Sequence, residues 1–575
     1  MNLRDFFPIL SWLPKYGTAE FKGDLSAGLT VGVMLVPQGM AYAMLAGLPP
    51  IYGLYAAILP LIIYAIFGTS RQLAVGPVAM VSLLIAAGVG KMAETGSDDF
   101  IQLAILLALM VGVIQLLMGL FRLGFLVNFL SHPVVSGFTS AAALIIAFSQ
   151  LKHLLGINIP RSSQIFDTIS NSFQNIEQTN IYTLGIGLAA ILLILISKKL
   201  KSRIPGSLLV VVVGILAVWG TGVYTEGVKI VGSVPEGLPS FAIPIFSWEK
   251  IQSLLPMAFT IAFIAFMESI AVAKAILRRH KNYQIVPNQE LIALGLANIG
   301  GALLQAFPTA GGFGRSAVND QSGAKTGMAA IISASLIILT LLFLTPLFYY
   351  LPQSVLAAII MVAVFGLIDY KEAIHLWKSY KPDFWMLLVT FVGTLTLGIE
   401  EGVLIGVVLS LAMIVFQTTM PHIATLGKIP EKPHYKNLER FDNLENRKDI
   451  LIARFDARLY YANATYFQEE MQQRILEKGS DLKLFILDAA AMNGLDSSGT
   501  HALEEIIDFC KGRNVQFYIS GIKGPLRDIL SRSNFYEKLG EDKFFLRVQH
   551  AVNTFDNEPV ASNYKNYALQ TNEKK

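Results

Sequence analysis

Along three quarters of this chain the apolar residues follow neither the helical nor the strand period; they run on without interruption. Such runs sit at about 25–43, 50–67, 78–90, 99–120, 133–151, 181–197, 205–220, 256–276, 289–304, 314–320, 327–349, 352–368, 383–397 and 401–419. A helix that crosses a bilayer needs roughly 20 apolar residues, fewer when it is broken or tilted, and one that is apolar on all sides belongs in lipid or deep in a large core. The runs therefore predict spanning helices. The run at 314–320 is the weak one, because Arg315 lies inside it. The short loops require it all the same. Lys and Arg gather in the cytoplasmic loops of membrane proteins. With a cytoplasmic N-terminus, fourteen crossings put Arg71, Arg122, the cluster from Lys198 to Arg203, the cluster from Arg278 to Lys281, Lys325, and Lys371, Lys378 and Lys381 on the cytoplasmic side. Glu94, Asp98, Asp99 and the Glu400–Glu401 turn fall outside. Without the crossing at 314–320, every later loop and the C-terminal tail would be inverted.

The pattern changes near residue 430. DILIARFD, LKLFILDAA and VQFYISGI read as strands, and ATYFQEEMQQRILEK and SSGTHALEEIIDFCKGR as amphipathic helices. Strands alternating with helices predict a small α/β domain. The expected organisation is a transmembrane domain over 1–430, a cytoplasmic α/β domain over 431–557, and a disordered tail over 558–575.

Composition agrees. Of 575 residues, 53% are hydrophobic and 15% charged, against about 25% charged in soluble proteins. The net charge of +4 is thinly spread, which argues against a nucleic-acid partner. The single cysteine, Cys510, forms no intramolecular disulfide and suits a cytosol-facing domain. The amphipathic, Pro-interrupted start MNLRDFFPILSWLPKYG lacks the order of a signal peptide. Nothing in the chain calls for a metal or cofactor, or for an enzyme.

The two halves carry matching breaks. Gly76–Pro77 interrupts the third span and Pro308 the tenth, an offset of 308 − 77 = 231. The same offset carries Gln38 of the first span to 269, beside Glu268 of the eighth. Interrupted segments at matching positions in two halves point to the midplane site of a transporter. Seven spans per half, about 20–220 and 250–420, make the halves inverted repeats. Each proline is expected in the first turn of its helix, where its missing N–H does no harm. Two helix N-termini then meet, each with unpaired N–H groups and about half a positive charge. Arg315 adds a full charge, at a depth where a cation costs roughly 2.5–3.5 kcal/mol. That field suits a small oxyanion and rejects cations. Arg315 either ligates the anion, brackets Glu268, or snorkels to the surface. Burial favours the neutral form of Glu268 and a nearby cation its ionised form; it is either a proton carrier or a permanent brace for Arg315. Gln38 and Tyr42, one turn apart, either line the site or fill a helix interface. Val78 and Phe313 flank the two helix starts.

At these residues the chain resembles the sulfate permease (SulP) family of anion transporters. The resemblance covers nearly the whole chain, through VPQGMAYAMLAGLPPIYGLYAAILP, FGTSRQLAVGPVAMVSLL, SHPVVSGFTSAAALII, FMESIAVAK, NQELIALGLANIGGALLQAFP and GRSAVN. It implies fourteen spans in two inverted seven-span repeats, a core domain that moves against a gate domain, and a substrate site between the third and tenth spans. The positions it implies for the site are Gln38, Tyr42, Val78, Ala79, Phe313, Gly314, Arg315 and Ser316. The family often has Ser where this chain has Gly314, which removes a hydroxyl ligand. Sodium-coupled bicarbonate members typically carry Asp, with a hydroxyl residue one turn on; here Glu268 is followed by Val272, which favours protons. The C-terminal part resembles the domain shared by sulfate transporters and anti-sigma-factor antagonists (STAS), through FILDAAAMNGLDSSGTHALEE. The resemblance makes Ser497 a position for regulatory phosphorylation; a Ser at a helix start is also a natural N-cap.

The expectation is a secondary active inorganic-anion transporter: a proton–sulfate symporter of an inner (plasma) membrane, homodimeric, with both termini cytoplasmic. The rivals are a sodium- or proton-coupled bicarbonate or dicarboxylate transporter and an uncoupled anion exchanger or channel. A nucleobase permease of this architecture would want carboxylate or amide partners for the base, against which Arg315 argues.

Overall fold

The computed structural model describes residues 6–129, 131–157, 165–200, 205–244, 247–277, 279–280, 283–533 and 535–558. Nearly all of the expected tail lies outside the described residues. The chain forms two compact units, Met1–Ser410 and Leu411–Lys575.

Fourteen helical segments take up the expected spans: α1 (Thr18–Ala46), α2 (Ile51–Phe67), α3 (Ala79–Val89), α4 (Asp98–Leu120), α5 (His132–Leu155), α6 (Ile181–Lys199), α7 (Gly206–Thr221), α8 (Trp248–Leu277), α9 (Pro287–Leu303), α10 (Phe313–Gln321), α11 (Met328–Phe348), α12 (Gln353–Phe365), α13 (Lys381–Leu397) and α14 (Ile399–Thr419). Among the described residues, seven helices are by themselves long and apolar enough to cross a membrane. The two interrupted spans are not. At 11 and 9 residues, α3 and α10 are about 16 and 14 Å long, half a hydrocarbon core each.

Packing sorts the first unit into two bundles that interleave the halves of the chain. α1 packs on α11, α4 on α8 and α9, and α2 on α9; separately, α5 packs on α13, α6 on α12 and α7 on α6. The first four spans of each half thus make one bundle and the last three the other. Contacts between small residues hold them, as expected where lipid supplies no hydrophobic drive between helices. Gly112 of α4 and Gly295 of α9 lie so close that a Cβ on either would fall 2.8 Å from the other's carbonyl oxygen.

Between α2 and α3 runs a two-residue strand, β1 (Val75–Gly76), and between α9 and α10 its counterpart β2 (Ala310–Gly311). They pair antiparallel, Val75 opposite Gly311 and Gly76 opposite Ala310. This corrects the expectation for the prolines. The N-cap of α3 is Val78 and that of α10 is Gly312, so Pro77 and Pro308 precede their helices instead of starting them. The backbone must first supply the strand pair, and the two prolines stand at different distances from the helix that follows.

The second unit is a six-stranded sheet: β3 (Ile423–Lys428), β4 (Tyr435–Asn437), β5 (Ile450–Phe455), β6 (Leu484–Asp488), β7 (Gln516–Ser520) and β8 (Phe544–Phe545), in the order β4-β3-β5-β6-β7-β8. β5 to β8 are parallel, and β3 is antiparallel to both its neighbours. α15 (Ala464–Lys478) and α16 (Ser497–Lys511) bury Phe467, Met471, Leu503 and Ile506 in a core shared with Phe455 and Phe485. Cys510 is fully buried there, and burial pushes its thiol up to about 12, so it stays an unreactive thiol.

Candidate anion site

The strand pair brings the starts of α3 and α10 side by side. Val78 and Ala79, the N-cap and first residue of α3, are buried. Phe313 and Gly314, the first two residues of α10, are exposed, and a Cβ on Gly314 would meet nothing within 4 Å. Arg315 is the third residue of α10 and only 3% exposed, so it does not snorkel to a surface. Its Nη1 donates to the carbonyl of Pro77, 2.6 Å away, in the other half of the chain. Its Nε and Nη2 are buried without a hydrogen-bond partner. The guanidinium lies against Gly312, where a Cβ would come within 2.9 Å of Nη2 and 3.0 Å of Cζ; only glycine leaves it room.

α8 packs along β2, α3 and α10, and from it Glu268 presents a carboxylate whose Oε2 has no partner. Among the described residues no ion pair within 4.0 Å joins Glu268 to Arg315. The permanent brace weighed from the sequence is not formed. Tyr42, buried on α1, lies within Coulombic reach of both charges. Gln38 is half-buried one turn earlier on α1, a helix that packs on both α3 and α10. Ser316 is fully buried; its hydroxyl accepts from the N–H of Ala74 at 2.9 Å and donates to the carbonyl of Gly312 at 2.7 Å. It ties the approach to β1 onto α10.

A set of buried polar residues that sequence reading passed over holds this geometry. Ser269, which donates to Ala265 O, accepts from the N–H of Gly311 in β2 at 2.8 Å. Asn298 of α9 accepts from the N–H and hydroxyl of Thr309, at 2.8 and 3.0 Å. It also donates to Thr309 O and to Gln115 Oε1 of α4, and Gln115 donates to Ala262 O of α8. The signal was present: the offset of 231 falls on Ser269 itself. In the first turn of α9, Glu290 is fully buried and accepts from Tyr64, Thr69 and Ser70.

The site thus gathers unpaired guanidinium N–H groups and two helix N-termini around one locus, with an unsatisfied carboxylate nearby. That is a set of donors for an anion.

In the second unit the N-cap of α16 is Asp496, not Ser497. Its Oδ1 accepts from Gly499 N at 2.8 Å and its Oδ2 from Tyr461 N at 3.0 Å. A carboxylate fills the cap, and Ser497 becomes the exposed first helical residue. It opens on a cleft of about 570 Å³ with His501 and Arg532.

Residues 21–390 match the model of the sulfate permease family, and residues 443–551 that of the STAS domain. Among similar proteins, "Sulfate transporter 4.1, chloroplastic" of Arabidopsis thaliana is 41% identical over 566 residues, covering 95% of this chain and 82% of its own. "High affinity sulfate transporter 2" of Stylosanthes hamata is 35% identical, with 98% and 88% covered. Among solved structures, murine Solute Carrier 26 family member A9, an anion transporter in the inward-facing state, superposes with a TM-score of 0.88 at 27% identity, covering 96% of this chain and 94% of that one. Fold and site define a multi-pass membrane anion transporter with a C-terminal STAS domain, and not an enzyme. The chain belongs to the sulfate permease family.

Proposed function

We propose that this chain is a proton–sulfate symporter working by alternating access, with the anion held between the N-termini of α3 and α10. The observation that carries the proposal is Arg315: buried, anchored through Nη1 to Pro77 of the other half, and left with two nitrogens unpaired. An uncompensated guanidinium at that depth is costly unless an anion completes it. The two helix starts and Gln38, Tyr42, Val78, Ala79, Phe313 and Gly314 surround the bound anion, and Ser316 holds the frame. The names of the plant relatives support sulfate. Glu268 supports the coupling to protons: a carboxylate with an unsatisfied oxygen, close to the cation but not bonded to it, gains a proton as the anion arrives and so compensates its charge. In this reading the protein lies in a plasma membrane with both termini cytoplasmic, acts as a homodimer, and is tuned by phosphate on Ser497 at the start of α16, where the helix dipole favours it.

Uptake of radiolabelled sulfate into proteoliposomes, with and without an inward proton gradient, tests the reading. Gradient-driven accumulation is expected. Uptake indifferent to the gradient identifies the uncoupled exchanger, and dependence on sodium or preference for bicarbonate or a dicarboxylate the other rivals. Glu268→Gln should abolish gradient-driven accumulation and preserve sulfate exchange.

A further inference from the structure

A second basic cleft lies in the first unit, away from the α3–α10 site. It has a volume of about 910 Å³ and opens among the start of α1, the ends of α2 and α4, and the starts of α9 and α11. Four cations line it, Lys15, Arg71, Arg122 and Lys325, against one acid, Glu20. Glu20 is engaged: its Oε2 accepts from the N–H of Gly17. Two further carboxylates behind the wall are also saturated. Asp24 accepts from Lys325 N, Thr326 N and the Thr326 hydroxyl, and Glu290 from the groups named above. Counting all three, cations still exceed acids by four to three. Among the described residues none of the four cations lies within 4.0 Å of a carboxylate. Arg71 is steadied by the ring of Tyr283, whose centroid is 5.3 Å from its Cζ. Two helix N-caps, Val286 of α9 and Gly327 of α11, also line the cleft and add partial positive charge.

The rim has the opposite character. Leu120 and Val286 are 57% and 46% exposed, at helix ends of a protein that crosses a bilayer. Basic groups inside and bare apolar side chains at the lip match an amphiphile with an anionic head.

We propose that this cleft binds the phosphate headgroup of an anionic phospholipid, its acyl chains lying on Leu120 and Val286. The headgroup would bridge the start of α1, the end of α4 and the starts of α9 and α11, and so brace the bundle that carries the α3–α10 site.

The test uses the purified full-length protein in detergent, with phosphatidylglycerol, phosphatidylcholine and soluble glycerol 3-phosphate as probes. Native mass spectrometry counts retained lipid, and the melting temperature reports stabilisation. Phosphatidylglycerol should be retained in preference to phosphatidylcholine and should raise the melting temperature. The double variant Arg71→Gln/Arg122→Gln should bind it roughly tenfold more weakly, while Lys199→Gln, which removes a cation outside the cleft, should not. Native mass spectrometry of the double variant distinguishes lost lipid from lost fold. Equal retention of the two lipids, or unchanged retention in the double variant, would overturn the proposal. Displacement of phosphatidylglycerol by glycerol 3-phosphate at equal concentration would overturn its assignment to a lipid.

Discussion

Three nearby positions at the start of α10 have different neighbours, and their substitutions should separate accordingly. Arg315→Ala removes the only full positive charge among the candidate ligands and should weaken sulfate binding by tenfold or more, on the scale of about 1.5–3 kcal/mol for a hydrogen bond to a charged group. Binding calorimetry reads this without requiring transport, and unaltered affinity would remove Arg315 from the site. Gly312→Ala keeps the charge but sets a methyl group within 2.9 Å of Nη2; the displaced guanidinium should raise KM for sulfate about tenfold in a folded protein. Gly314→Ser meets open space and should fold normally while offering the anion a hydroxyl. Sequence alone made Arg315 conspicuous, because a cation in an apolar setting needs a reason. It could not show that Pro77 is the anchor, or that Ser316 turns its hydroxyl to the backbone, since both depend on a strand pair joining residues more than 200 positions apart.

At the scale of elements, long apolar runs announced their helices plainly, and even α10 was recovered, from charge topology where hydropathy failed. The strand pair was invisible: two residues on each side, with neither alternation nor β-branched runs to mark them. The same is true of β3, β4 and β8, which are short or follow directly on the last span; β5, β6 and β7 alternate with helices and were legible. The buried polar scaffold was missed because Ser269, Asn298 and Gln115 are single polar residues in apolar helices, and only tertiary contact gives them partners. Asn298→Leu should leave the N–H and hydroxyl of Thr309 and the Oε1 of Gln115 without their partner. The expected loss is about 1–3 kcal/mol for each buried group left unsatisfied, read as a lower melting temperature of the full chain with faster hydrogen exchange at residues 306–312.

At the scale of the whole molecule, the second unit carries its own sensitivity to acid. In the second unit Arg447 bridges two carboxylates, Asp449 ahead of β5 and Asp556 beyond β8, with Nη2 at 2.7 and 2.9 Å from them. The hydrogen bonds from Arg447 hold the Asp449 carboxyl below its ordinary value. Burial pushes Asp456 up, but bonding to Arg454 and His422 outweighs it and the carboxyl ends below the ordinary range. Groups depressed in the folded state stabilise it above their unfolded pKa, about 3.9, and that contribution fades as pH falls through the lower folded values. The STAS domain should therefore lose hydrogen-exchange protection below about pH 4, and Arg447→Met should blunt the pH dependence attributable to Asp449.

The pairing of β1 with β2 has a mechanical consequence. The strands are joined backbone to backbone, Arg315 is latched to the carbonyl across the pair, and Ser269 and Ser316 pin the strands to their surroundings. The two walls of the anion site cannot be drawn apart without breaking all of these bonds. Under the alternating access proposed above, the two walls of the anion site therefore move as one unit, and the sliding surface lies between the two interleaved bundles.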